Sequence, residues 1–219
     1  MPRRLRPTAE IHPDAILVGD PGRAMALAQV LTGQPKMANH ARGLWGYSGT
    51  TAKGRGLTVQ STGMGGPSAA LVLGDLAELG VRRAVRVGTC AAIDRDTRPG
   101  DLIWVREARP WTVDHRGAGA PAFPDEELGE RLRAELGGAA KVGTVASLDA
   151  LHPSPGHATP VGDVADMQTA ALLAAGEQLG VAVAAVLIVT DAEGLDPLDD
   201  EKVAELANTA SEAGLRALA

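Results

Sequence analysis

The chain has 219 residues, which fits one compact α/β domain better than two. Its formal charge of −6 argues against a nucleic-acid groove, and the longest wholly apolar run, residues 181–189, is too short for the ~20 residues of a membrane span. The single cysteine, Cys90, excludes an internal disulfide and points to a reducing, cytoplasmic compartment. The opening residues are basic but carry no apolar stretch of the kind a secretory signal needs. With five aromatic side chains in all, the core is expected to be built from Ala, Val, Leu and Ile.

In chain order, residues 15–18 read as a short buried strand closed by Gly19-Asp20-Pro21-Gly22. Residues 23–31 read as a helix that stops near Gly33. Residues 47–51 and 57–60 read as strands around a glycine turn at 53–56. A glycine-dense turn, Thr62-Gly63-Met64-Gly65-Gly66, is followed by Pro67 at a first helical position, and Gly80 marks the end of that helix. Residues 85–87 read as a strand ending in Gly88-Thr89, and 102–105 as another. A helix over 125–136 and a strand over 141–146 follow. Residues 165–179 read as a helix ending at Gly180, and 181–189 as a fully buried strand with Thr190-Asp191 at its carboxyl end. An amphipathic helix over 198–218 closes the chain.

This alternation predicts a single α/β domain over residues 1–219, with a central twisted, mixed sheet and helices on both faces. In such sheets ligands bind beyond the carboxyl ends of the strands. Gly19-Asp20, Gly88-Thr89 and Thr190-Asp191 are therefore expected to border one site. The first of these turns offers backbone N–H groups and the Arg23 guanidinium at a helix start, a setting that attracts anions. Arg86 interrupts an apolar strand, which is costly unless the charge meets a partner. A bidentate fork on phosphate and a structural ion pair to a buried carboxylate are both open readings of Arg86. Asp191 likewise reads either as a turn or cap residue or as a catalytic group. The histidines and the cysteine show no metal-ligand spacing, and residues 152–157 read as a structural proline turn.

Four segments together resemble the purine/uridine nucleoside phosphorylase family. They are VGDPGR (18–23), STGMGGPSAALVLGDLAELGVRRAVRVGTCAAI (61–93), VADMQTAALLAA (164–175) and VTD (189–191), and the likeness covers essentially the whole chain. The resemblance implies that Gly19, Arg23, Arg86 and Thr89 hold phosphate. It implies that Arg42 reaches the phosphate of a neighbouring subunit, in a dimer-based homo-oligomer expected to be a hexamer. Met167, Gln168, Thr190, Leu151 and Ala91 would border the nucleoside, and Asp191 would lie beside the base. The implied reaction is phosphate-dependent cleavage of an N-glycosidic bond to a free base and a pentose 1-phosphate. Inorganic phosphate is the co-substrate, and no cofactor, metal, nucleic acid or membrane is involved. Asp191 would act as a general acid for the departing base, with Arg86 steadying the attacking phosphate.

The departures from the family pattern all fall on the nucleoside side. A Met-Glu pair that holds the ribose hydroxyls is here Met167-Gln168, and Gln168 is expected to offer the sugar only its amide oxygen. Charged hydrogen bonds are worth about 1.5–3 kcal/mol against about 1 for neutral ones, so ribose binding should weaken or the sugar differ. Asp166 is expected to point elsewhere on its helix. Leu151 and His152 stand where the family carries a Phe-Tyr pair, Ala91 stands where glycine is common, and His12 lies too near Gly19 to serve a neighbour's ribose. Asp191, and the lack of a Gln-x-Arg uracil clamp between 152 and 160, favour a purine, although the 61–93 block looks nearer the uridine enzymes. The alternatives are a uridine phosphorylase-like activity, a hydrolytic nucleosidase, or a non-catalytic binder of nucleoside or phosphate.

Overall fold

The structure is a computed structural model that describes residues 4–111, 119–150 and 160–219. Strand β1 (Asp14–Val18) leads into helix α1 (Pro21–Leu31), and three strands follow: β2 (Gly33–Asn39), β3 (Gly46–Thr50) and β4 (Gly56–Ser61). Helix α2 (Gly66–Glu78), the long strands β5 (Arg83–Ala92) and β6 (Leu102–Trp111), helix α3 (Glu126–Leu136) and strand β7 (Ala140–Leu148) come next. The short strand β8 (Val164–Asp166), helix α4 (Thr169–Leu179), strand β9 (Ala182–Asp191) and helix α5 (Asp200–Ala217) complete the order.

One mixed sheet of nine strands runs β2-β3-β4-β1-β5-β8-β7-β6-β9. Strand β9 also pairs in parallel with β5, so β5, β8, β7, β6 and β9 close into a ring. Apolar residues alternate along β9. Ala185, Leu187 and Val189 join a core with α2 and α4, while Ala184, Val186 and Ile188 join a second core with α1, α3 and α5. Helices thus cover both faces, as the alternation of elements predicts. Each fully buried leucine, such as Leu73 or Leu187, contributes about 1.5–3 kcal/mol by leaving water.

Local chemistry sets the helix starts. Asp20, Asp125 and Asp199 each cap a helix by accepting a backbone N–H, from Arg23 (2.7 Å), Leu128 (2.9 Å) and Lys202 (2.7 Å). Gly180 ends α4 in the left-handed conformation at φ 65°.

Two elements differ from the sequence reading. Residues 33–39 form a strand, β2, at the sheet edge, where five of its seven residues are exposed or half-exposed and carry no apolar alternation to reveal it. Residues 164–166 form strand β8, and α4 begins only at Thr169. The Asp166 carboxylate accepts the Thr169 N–H (3.0 Å), so this residue marks the approach to the helix and is not part of it.

Candidate active site

A cavity of about 670 Å³ opens at the carboxyl ends of β1, β5 and β9. Gly19, Arg23, Arg86 and Thr89 all line it, as do Met167, Gln168, Thr190, Asp191 and Ala91. Segments far apart in sequence therefore converge where strand-end geometry predicts. Leu151 and His152 lie outside the described residues.

Arg86 projects from β5 on the face shared by Ala84 and Cys90, toward α2 and α4. It is 4% exposed and fully braced. Its Nε donates to Thr169 Oγ1 (3.0 Å), Nη1 to Gln168 Oε1 (2.7 Å) and Nη2 to Asp166 Oδ2 (3.0 Å). The ion-pair reading of Arg86 is thus realised, with Asp166 as its partner. The guanidinium has further N–H donors beyond these, and the group borders the cavity. Asp166 is itself held by Ser147 Oγ (2.5 Å) and Thr169 Oγ1 (2.5 Å). The expectation that Asp166 points elsewhere on a helix is corrected. The residue belongs to β8, whose side chain at this register turns inward because a buried guanidinium needs a carboxylate. Gly88 makes room for this arrangement: a Cβ there would lie 2.6 Å from Arg86 Nη2 and 2.7 Å from its Cζ.

Arg23 sits one helical turn inside α1, half-buried, and its guanidinium has no hydrogen bond or ion pair among the described residues. Burial pushes its pKa down; the nearby Arg86 cation adds to this, while Asp20 and Asp200 oppose it. A partly desolvated cation beside a second cation is a standing electrostatic cost that a bound oxyanion removes. The helix amides add less than the sequence suggests. Pro21 has no N–H, and the Arg23 N–H is taken by the Asp20 carboxylate.

Gln168 is 4% exposed. Its Oε1 accepts from Arg86 Nη1 and from Thr62 Oγ1 (3.0 Å), and its Nε2 donates to the Gly63 carbonyl (2.6 Å). The amide oxygen expected to meet the sugar is already engaged by the protein. Gly63 adopts φ 71°, and Ser68 Oγ ties the turn by donating to the Thr62 carbonyl (2.6 Å).

At the other end of the cavity, β9 pairs Cys90 with Val189 but Ala91 with Asp191, leaving Thr190 as the extra residue of a bulge. Bulges re-aim side chains, and here both Thr190 and Asp191 line the cavity. Thr190 Oγ1 donates to Asp191 Oδ2 (2.6 Å), which orients the carboxylate, and the Cys90 carbonyl, 3.2 Å away, is the alternative acceptor for the same proton. Asp191 is exposed, because the bulge carries it past the last core position. Ala91 is half-buried and contributes a methyl group to the wall. Cys90 also borders the cavity; burial pushes its thiol well up, which keeps it protonated and inert.

Arg42 does not line this cavity. It lies exposed on a tight turn, Ala41–Gly43, at φ 60°, a conformation that costs a non-glycine residue about 1–3 kcal/mol. The turn is held by Asn39 Nδ2 donating to the Leu44 carbonyl (2.5 Å) and by Gln60 Nε2 donating to the same oxygen (2.9 Å). No cluster of three metal-ligating side chains occurs among the described residues. No helix there is long and apolar enough to cross a membrane.

A mixed α/β sheet thus closes on itself and brings two guanidinium groups into one strand-end cavity. The sequence pattern of the Phosphorylase superfamily matches residues 13–219, and the chain belongs to that superfamily. It is 34% identical over 196 residues to a purine nucleoside phosphorylase DeoD-type of Geobacillus kaustophilus, an alignment covering 84% of this chain and 83% of that one. A protein of the same name from Oceanobacillus iheyensis is 41% identical over 100 residues, covering 45% of this chain and 42% of that protein. Among solved structures, the purine nucleoside phosphorylase of Toxoplasma gondii in complex with immucillin-H superposes with a TM-score of 0.83. At 20% identity over 96% of this chain and 94% of that one, it shows a shared fold.

Proposed function

We propose that the chain is a nucleoside phosphorylase acting on purine nucleosides. The observation that carries the reading is the unpaired Arg23 guanidinium beside Arg86 in one cavity, with an oriented carboxylate, Asp191, at its other end. Phosphate sits against Arg23, the outward N–H groups of Arg86 and Thr89, whose hydroxyl has no partner among the described residues. The nucleoside lies between phosphate and Asp191, against Met167 and Ala91. The glycosidic bond breaks as positive charge develops at the sugar's anomeric carbon. A phosphate oxygen then bonds that carbon, and Asp191 in its acid form gives its proton to the departing base nitrogen, the acid being restored by the proton that phosphate releases as it becomes the sugar ester. Catalysis rests mainly on holding phosphate in line and on preorganised charge. The products are the free base and a pentose 1-phosphate, and no cofactor takes part.

Arg42, exposed and held on a braced turn away from its own cavity, fits a role in a neighbouring subunit's phosphate site, within a dimer-based hexamer. The single buried thiol fits a cytoplasmic setting. Purified protein incubated with a panel of nucleosides, with and without phosphate, tests the reading. Release of purine bases only when phosphate is present is expected. Cleavage that ignores phosphate overturns it. Light scattering that finds a fully active monomer overturns the cross-subunit role of Arg42.

A further inference from the structure

We infer that Gln168 belongs to the phosphate half of the site: it is a positioning residue that locks Arg86 to the Gly63 turn without adding negative charge, and it governs affinity for phosphate instead of the sugar. The inference rests on the phosphorylase reading above.

The chemistry of its neighbours determines how the amide lies. Arg86 Nη1 can only donate and the Gly63 carbonyl can only accept, so Oε1 must face the first and Nε2 the second. The reversed amide would set N–H against N–H and oxygen against oxygen. Thr62 Oγ1 lies 3.0 Å from Oε1 and 3.0 Å from the Val18 carbonyl, so its one proton is shared between the two oxygens. At 4% exposure, with both amide atoms already engaged, turning its oxygen toward a sugar hydroxyl would break the bonds to Arg86 and Gly63. It also joins otherwise separate parts of the site. Its oxygen lies 3.8 Å from where a Cβ of Gly19 would stand, so the turn after β1 packs on it as well.

Charge supplies the rest of the argument. Arg86 is already paired with one buried carboxylate, Asp166. A carboxylate at position 168 would be a second one on the same guanidinium, and the cavity also holds Asp20 and Asp191. A neutral amide keeps the geometric link and leaves the positive potential of Arg23 and Arg86 available to an anion.

The test is Gln168→Glu, which preserves shape, adds one charge and replaces the donor facing the Gly63 carbonyl with an acceptor. The expected result is a rise of about tenfold or more in both the KM for phosphate and the calorimetric Kd for inorganic phosphate, since a unit charge a few ångströms from a bound anion costs that much at the effective dielectric of a protein surface. The KM for the nucleoside is expected to stay within about twofold, whereas general damage to the fold would move both constants. An unchanged phosphate KM together with a lowered nucleoside KM overturns the inference, because it means that position 168 faces the sugar. Thr62→Val, which removes the hydroxyl shared between Oε1 and the Val18 carbonyl, is expected to raise the phosphate constants by a smaller factor, at most about two- to fivefold. The two claims fail separately. Wild-type protein that cleaves nucleosides without phosphate defeats the functional reading, whereas phosphate-dependent wild type with phosphate constants insensitive to both substitutions defeats the role of Gln168 alone.

Discussion

The two ends of the cavity are built on different principles. At the arginine end, Arg86, Asp166, Gln168, Thr169 and Thr62 are all buried, and each bonds at least one of the others, so the turn after β4, strands β5 and β8 and the start of α4 meet in one network. At the opposite end, Asp191 is exposed at a bulged strand terminus and is held by its neighbour Thr190, while the walls are methyl and thioether groups from Ala91, Ala165 and Met167. Donors that are aimed in advance need no reorganisation when an anion binds, which is what the braced end offers. The open end offers shape, apolar area and one oriented carboxylate. The braced end is also part of the core; the open end is not.

The comparison can be broken most severely at Arg86. Arg86→Met leaves the buried Asp166 without its cation and is expected to cost about 3–5 kcal/mol of stability in urea denaturation, together with phosphate-dependent activity. A stable, active variant would show that the network is not part of the core. Asp191→Ala should do the opposite. It lowers kcat by about 10²- to 10⁴-fold while the melting temperature and the phosphate KM stay put. A large loss of stability there would erase the contrast between the two ends. Arg23→Ala falls between them. The phosphate KM is expected to rise about tenfold to a hundredfold by loss of charge-assisted bonds, with stability held or slightly improved, since the guanidinium is unpaired and partly desolvated. Asp20→Ala is the mildest. It removes the cap of α1, for about 1 kcal/mol in thermal or urea unfolding, and it should not raise the phosphate KM, because it withdraws a negative charge from the cavity.

Much of this contrast was legible in the chain, but unevenly. The turns Gly19-Asp20, Gly88-Thr89 and Thr190-Asp191 could be expected to border one site because each closes an apolar run that is plain in sequence, whereas the grouping of Gly19, Arg23, Arg86 and Thr89 came from the family resemblance. The partner of Arg86 could not be read. Asp166 lies 80 residues away on a strand of three residues, too short to show a period, inside a segment whose composition reads as helix. Gln168 looked like a sugar ligand because position along a motif says nothing of which atoms an amide already serves. The exposure of Asp191 depends on the Thr190 bulge, a registry between β5 and β9 that neither strand encodes alone.

By itself the sequence determined the elements whose cause is local or periodic: the core strands β1, β5 and β9, the glycine turns and the convergence of strand ends on one cavity. Periodicity reports how each segment is buried, and capping and turn chemistry act within a few residues. Tertiary structure alone decided the edge strand β2, the ring closed by the β9 pairings, the Arg86–Asp166 pair and the engagement of Gln168. Each of these depends on which distant groups share a small volume, and a hydrogen bond across 80 residues or more is set by packing, not by the order of residues along the chain.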